Sequence, residues 1–151
     1  MLAKDIMTKK VLSVTPQMSV KELATFFITN KISGAPVLVD GKLAGIVTEE
    51  DVIFHDKQVH LPTVVAIFDA VIYLDSVRDF ENEMSKVLGE KVQAIMTRDV
   101  ITITEETEVS EIATIMTQQH VHLLPVMSQE QLVGIVGKVD VLRAITKEME
   151  Q

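Results

Sequence analysis

Apolar residues recur with the spacing of a helix near the start of the chain. Ser19 and Glu22 stand three residues apart just ahead of them, in the pattern of a capping box. We therefore expect a helix from Val20 to Asn30 with one face in the core. The positions i, i+3, i+4, i+7 and i+8 of this face are Val20, Leu23, Ala24, Phe27 and Ile28.

Short apolar runs flank this helix and predict strands. Val11–Val14 precedes it, and Ala35–Val39 and Lys42–Val47 follow, with Asp40-Gly41 between the last two. Asp-Gly readily adopts the positive φ angles of a type I′ turn, so we expect a tight hairpin there. A further helix should begin near Glu49, which gives the order β-α-β-β-α.

This order of elements returns later in the chain. A shift of 89 positions, the distance from Gly45 to Gly134, aligns the two copies without a gap. Two copies are too few for a solenoid, so we expect a closed pseudo-twofold pair with an α/β (α+β) fold. The shift places Ile6-Met7-Thr8 on Ile95-Met96-Thr97, Pro36-Val37 on Pro125-Val126, and Gly45-Ile46-Val47 on Gly134-Ile135-Val136.

The second copy predicts the same elements with a different turn. A strand is expected over Val100–Ile103 and a closing helix from about Lys138. Ser128–Gln131 replaces the Asp-Gly turn, so the second hairpin should be looser.

A helical insertion is expected between the copies. Pro62 suits the first turn of a buried helix that would reach about Leu74, and Ser76 with Asp79 would cap a second helix. The insertion would cover apolar surface or contact a partner. We place the first repeat at residues 1–57, the insertion at 58–90 and the second repeat at 91–151.

Composition and charge narrow the class of protein. The 151 residues are 47% hydrophobic, which is ample for a packed core, and include no cysteine for a disulfide or a thiolate zinc site. No long apolar segment suggests a secretory signal or a membrane span, so we expect a cytoplasmic protein. A net charge of −8 with dispersed bases argues against nucleic acid as a partner.

The junction between the second hairpin strand and the closing helix is the candidate site in each copy. The free N–H groups at a helix start favour an anion. Thr48 and Asp51 lie on one side of that turn, so both could face a bound sugar-phosphate. The same tetrad also fits a capping box that needs no ligand. The residues leave both readings open.

Three motifs follow one another in the first copy, and the second copy repeats them. They are Ile6-Met7-Thr8, then Ser33-Gly34-Ala35-Pro36-Val37, then Gly45-Ile46-Val47-Thr48 with Asp51. Together these motifs resemble those of the CBS domain family. Two such copies are similar to a free-standing CBS pair, or Bateman module. The resemblance implies packed sheets, clefts that hold AMP, ADP or ATP, no required cofactor, and dimerisation into a flat disc.

The resemblance also implies the residues of two ligand sites. In the family, the Asp of the motif binds ribose and the preceding hydroxyl reaches ribose or phosphate, but Gly137 stands where the second copy should carry that hydroxyl. The remaining contacts would come from the other copy. The first site would therefore be Thr48 and Asp51 with Val121, His122, Leu124 and Pro125, and the second Asp140 with Ile32, Ser33, Ala35 and Pro36.

Other polar residues are candidates for phosphate binding, metal binding or catalysis. Arg143 follows Asp140 by one helical turn and is a phosphate candidate. His120 and His122 lack further spaced ligands, so we expect no metal site. No nucleophile stands with a base, so we expect no enzyme. The leading hypothesis is a regulatory nucleotide sensor for an unknown effector protein, and the alternative is a ligand-free interaction module with the same fold.

Overall fold

The computed structural model describes residues 1–54, 64–67, 70–73 and 89–149. Its helices and strands alternate in two similar series, and the α/β class is confirmed. The first series is α1 (Ala3–Ile6), α2 (Val20–Asn30), β1 (Gly34–Val39), β2 (Lys42–Thr48) and α3 (Glu49–Phe54). Then come β3 (Val64–Ile67), β4 (Ala70–Tyr73), α4 (Val92–Ile95), β5 (Ile103–Thr104), α5 (Val109–Gln118), β6 (Leu123–Ser128), β7 (Gln131–Gly137) and α6 (Lys138–Met149).

Helix α2 begins and ends where the sequence predicts. The Ser19 hydroxyl accepts from the Glu22 N–H at 3.1 Å, and the Glu22 carboxylate accepts from the Ser19 N–H at 3.0 Å. This reciprocal pair is the capping box. Val20, Leu23 and Phe27 are buried, whereas Ile28 is 78% exposed. The prediction that Ile28 joins the core face is therefore wrong.

Both hairpins close through two-residue turns. Asp40 and Gly41 have φ angles of 51° and 77°, as expected for the Asp-Gly turn. Gln129 and Glu130 have φ angles of 47° and 65°, so the second turn has the same form. The expectation of a looser second hairpin is wrong, because pairing of β6 with β7 continues to Ser128 and Gln131 and holds two ordinary residues in the left-handed region.

The first strand of each copy is shorter than predicted. The run Val11–Val14 contributes a single parallel bridge from Val14 to Val37, and the run Val100–Ile103 contributes only β5, which pairs in parallel with β6. The preceding segments explain the difference. Thr8 already pairs with Ile135, so the chain between Thr8 and Val14 must cross from β7 to β1 and cannot extend one ladder.

The insertion contains strands where a helix was predicted. β3 and β4 pair in antiparallel fashion, with Val64 opposite Tyr73 and Ile67 opposite Ala70. The helix predicted from Pro62 to Leu74 is therefore wrong over these residues. Most of the paired residues are β-branched, and such side chains favour strands. The helix predicted after Ser76 lies outside the described residues, as do residues 55–63.

The chain divides into two compact units that are interleaved along the sequence. The terminal unit consists of Met1–Val14, Gly34–Ile46 and Thr97–Gln151, and the inner unit consists of Thr15–Ser33 and Val47–Met96. Among the helices that the structure describes, none is both long and apolar enough to cross a membrane.

The core of the terminal unit lies around β6 and β7. Its sheet has the order β5-β6-β7, and α5 and α6 pack against each other. Ala3 of α1 is completely buried in this core, although it lies at the start of the chain. The Ala3 N–H donates to the Thr107 carbonyl at 2.8 Å, and the Val109 N–H donates to the Met1 carbonyl at 3.0 Å. The buried members are Ala3, Ile103, Val109, Ile112, Met116, Leu124, Val126, Val136, Val141 and Ala144.

The inner unit repeats this arrangement with α4 and α2. The Val92 N–H donates to the Met18 carbonyl at 2.9 Å, and the Val20 N–H donates to the Glu90 carbonyl at 2.8 Å. These four residues are the counterparts, 89 positions earlier or later, of the four that join α1 to α5. Each short helix thus supports the main helix of the other sequence repeat. Within this unit α3 packs against α2.

Candidate functional site

The first candidate junction runs from the end of β2 into α3. The Asp51 carboxylate turns back and its Oδ2 accepts from the Thr48 N–H at 2.8 Å. The Thr48 hydroxyl lies 3.3 Å from the same oxygen and donates to it. The Glu49 N–H donates to the Ser33 carbonyl at 2.8 Å. Asp51 therefore caps α3, as expected if the tetrad is a capping box that needs no ligand.

The second candidate junction has the same geometry without the hydroxyl. The Asp140 Oδ2 accepts from the Gly137 N–H at 2.8 Å, and the Lys138 N–H donates to the His122 carbonyl at 3.2 Å. A Cβ at Gly137 would lie 3.6 Å from that Asp140 oxygen and 3.7 Å from the Leu123 side chain. These are ordinary contacts, so the site has room for the side chain that glycine lacks. The carboxylate position is thus set by the backbone and does not depend on a hydroxyl.

The segments before the two prolines combine exposed and buried residues. Ser33 and His122 are exposed, and Ile32 and Val121 are partly buried. The other predicted contacts, Ala35, Pro36, Leu124 and Pro125, are fully buried. A ligand can touch this last group only if the surrounding packing opens. The pairing of each Asp with the other repeat's segment stays a prediction.

Arg143 lies beside the second junction. Its guanidinium is 3.7 Å from the Asp140 Oδ1, with 72% of the Arg143 side chain and 19% of the Asp140 side chain exposed. The two residues are three apart on α6, which brings their side chains to the same face. Arg143 therefore stands next to the carboxylate oxygen that does not cap the helix.

The remaining histidine prediction concerns His120. This residue has a φ of 53° just after α5, and its counterpart Lys31 has the same φ just after α2. Both occupy the left-handed position that commonly ends a helix. Among the residues that the structure describes, no three His, Asp or Glu side chains stand close enough to hold a metal ion.

Sequence reasoning missed the residues that hold the junction strands in place. Thr8 and Ile135 exchange backbone hydrogen bonds of 2.9 and 3.0 Å, and a Cβ at Gly134 would overlap the Met7 side chain, with Cγ only 2.9 Å away. The Met-Thr segment thus lies directly on β7, two residues before Gly137. The Met-Thr pair occurs in both repeats of the sequence, and this recurrence indicates that the segment has a structural role. It does not show which distant residues the segment pairs with.

Comparison with known proteins identifies the family. A protein of Methanocaldococcus jannaschii, MJ1426, is 33% identical over 154 residues, which cover 96% of this chain and 91% of that protein. Further relatives are longer, and the chain spans 38% of one and 22% of another.

Two solved structures are also similar to this chain. The CBS domain pair of protein MJ0100, in complex with 5′-methylthioadenosine and S-adenosyl-L-methionine, has a TM-score of 0.72 at 25% identity over 98% of both chains. CBSX2 in complex with AMP has a TM-score of 0.70 at 25% identity over 97% of both chains. Residues 3–58 and 92–147 each match the CBS domain. The chain therefore belongs to the CBS domain family and carries two copies of the domain.

Proposed function

We propose that this chain is a regulatory module that binds an adenine nucleotide, AMP, ADP or ATP, and transmits its occupancy to an effector protein. One observation carries the proposal. Asp51 and Asp140 occupy equivalent strand-to-helix junctions, and each carboxylate is fixed by a 2.8 Å bond from the backbone N–H three residues earlier. A carboxylate held in place can accept hydrogen bonds from ribose hydroxyls without first losing rotamer freedom.

The ligands of related structures support the choice of nucleotide. One CBS pair holds AMP, and another holds two compounds that share the adenosine group with AMP. Adenosine is therefore the common chemical feature. A ribose contact at Asp51 or Asp140 would recognise that feature whatever group the 5′ position carries.

The composition of the two proposed sites follows the family resemblance. Thr48 and Asp51 would work with Val121, His122, Leu124 and Pro125, and Asp140 with Ile32, Ser33, Ala35 and Pro36. The exposed Ser33 and His122 can reach a ligand directly, because both side chains face solvent. The buried members would contribute only when the packing around them opens. That requirement would couple ligand binding to a change of shape.

The alternative is a ligand-free interaction module. It is compatible with the same capping contacts, because the Oδ2 atoms of Asp51 and Asp140 already accept from the backbone. A helix cap by itself accounts for the Thr-x-x-Asp tetrad without a ligand. This alternative predicts no affinity for any adenosine compound.

We further propose that two copies of the chain associate through α6. Its outward face carries Val139, Leu142, Ile145 and Met149, with Leu142 60% and Met149 82% exposed. An apolar stripe of this length on a helix marks an interaction surface. A second copy offers the same stripe, so an isologous contact would cover both.

Equilibrium dialysis of the whole chain against AMP, ATP and S-adenosylmethionine tests the function. The proposal expects saturable binding of at least one of the three. Retention of none of them at millimolar concentration would favour the ligand-free module.

A further inference from the structure

The two junctions share a backbone geometry but differ in charge. The segment Thr48–Phe54 contains Glu49, Glu50 and Asp51 and no basic residue. The equivalent segment Gly137–Arg143 contains Asp140 as its one acidic residue, together with two bases. The first segment is therefore strongly negative in its own formal charge, and the second is positive.

Arg143 places one of these positive charges next to Asp140. Asp140 uses its Oδ2 to cap α6, and Arg143 lies 3.7 Å from the other oxygen. That distance is longer than a hydrogen bond, so these two atoms form an ion pair without a hydrogen bond between them. A guanidinium presents five donors in a plane that matches the oxygens of a phosphate. The largely exposed side chain can turn toward a bound anion within reach of α6.

The positions of the first repeat that are equivalent to Arg143 and Lys138 carry no cation in the sequence. The residue 89 positions before Arg143 is Phe54, and the residue before Lys138 by the same shift is Glu49. The charged side chains that the first turns of α3 bring are therefore all acidic, whereas the equivalent turns of α6 bring Lys138 and Arg143. A phosphate at the second junction would meet opposite charge.

We propose that Arg143 makes the second junction selective for adenosine compounds that carry a phosphate. The inference rests on the proposed function, because it assumes that an adenosine ligand binds beside Asp140. It adds that the phosphate is read at the Gly137 junction, which lacks the hydroxyl expected there.

Titration calorimetry with AMP and with adenosine tests this selectivity. The two ligands differ only by the phosphate, so the ratio of their affinities measures what the phosphate contributes. We expect the ratio of AMP affinity to adenosine affinity to be about tenfold smaller in the Arg143→Gln variant than in the wild type. The affinity for adenosine itself should be unchanged. Lys147→Gln is the matched control, because Lys147 is an exposed base one turn further along the same helix. Its ratio should equal that of the wild type.

The outcomes separate this inference from the proposed function. If AMP and adenosine bind and the ratio is the same in Arg143→Gln as in the wild type, the nucleotide site stands and the role of Arg143 is refuted. An equal loss in Lys147→Gln would also refute it, because the effect would then be one of overall charge. If neither ligand binds the wild type, this inference falls, and dialysis against ATP and S-adenosylmethionine decides the proposed function separately. Circular dichroism of each variant checks that the fold is retained.

Discussion

The Thr97 N–H donates to the Ile46 carbonyl at 2.8 Å, and the Ile46 N–H donates back to the Thr97 carbonyl at 2.9 Å. Thr8 and Ile135 are joined in the same way, at 2.9 and 3.0 Å. The Met-Thr segment of each repeat therefore pairs with the junction strand of the other repeat. Both pairings lie within the terminal unit, so neither repeat completes its own sheet alone.

Substitution of Gly134 tests the packing of the Met-Thr segment on β7. A Cβ at this position would overlap Met7, so Gly134→Ala should lower the free energy of unfolding by about 1–3 kcal/mol. Chemical denaturation measures the loss.

Gly137→Ala is the matched control for that prediction. It lies on the same strand, and its Cβ would meet nothing closer than 3.6 Å, so its unfolding free energy should stay within about 0.5 kcal/mol of the wild type. When Gly134→Ala is made in a Met7→Ala background, it should lower the free energy of unfolding much less, because the overlapping Met7 atoms are then absent. If Gly134→Ala were as stable as Gly137→Ala, the described contact would be wrong.

The second hairpin turn offers a stabilising change. Glu130 has a φ of 65°, where glycine is relaxed and other residues are strained, so Glu130→Gly should raise the free energy of unfolding by about 0.5–1 kcal/mol. The opposite change, Gly41→Glu at a φ of 77°, should lower it by a similar amount. Thermal unfolding of the two variants checks the sign of each shift. A lower melting temperature for Glu130→Gly would contradict the turn geometry.

Local sequence patterns predicted the elements whose causes are local. The capping box of Ser19 and Glu22 placed the start of α2, and Asp40-Gly41 placed the first turn, because each depends on neighbouring residues. The recurrence of Gly45 as Gly134 predicted the repeat. It also predicted the junctions that carry Asp51 and Asp140.

Features that depend on distant residues were not predictable in this way. The exchange of Met-Thr segments requires pairings such as Thr97 with Ile46, which leave no periodic signal. A helix was predicted in place of the β3–β4 hairpin because a short apolar run is compatible with a helix and with a strand. The β-branched residues of this run favour strands. The burial of Pro36 and Pro125 depends on tertiary packing, so a family motif alone did not show that they are inaccessible.

Association through α6 is tested by a single polar substitution. Leu142→Arg places a charge in the middle of the exposed apolar stripe and should weaken self-association at least tenfold, because a buried unpaired charge is costly. Light scattering at micromolar concentration should then change from the mass of two chains to that of one. Leu12→Arg is the control, since Leu12 is exposed but lies outside α6. An identical mass for the wild type and Leu142→Arg would argue against this interface.

Ligand occupancy should be visible in the exchange of backbone amides. The Thr97 N–H is bonded to Ile46, two residues before Thr48, so a nucleotide at this junction should slow its exchange. NMR exchange measured with and without saturating AMP gives the protection at Thr97 and Thr8. At a hundred times the dissociation constant, binding adds about 2.7 kcal/mol to stability. If exchange at both threonines were unaffected by AMP, the Met-Thr segments would not respond to the site.

The proposed binding of the nucleotide by Asp51 and Asp140 is tested by removing their charge without removing the caps. Asn retains an oxygen that can accept from the Thr48 and Gly137 N–H groups, so Asp51→Asn combined with Asp140→Asn should leave the melting temperature of the free protein nearly unchanged. We therefore propose titration of AMP into the wild type and this double variant. The proposed role predicts AMP affinity at least about tenfold weaker in the variant, because charge-assisted hydrogen bonds to ribose are lost. Equal affinity in the two proteins would contradict it.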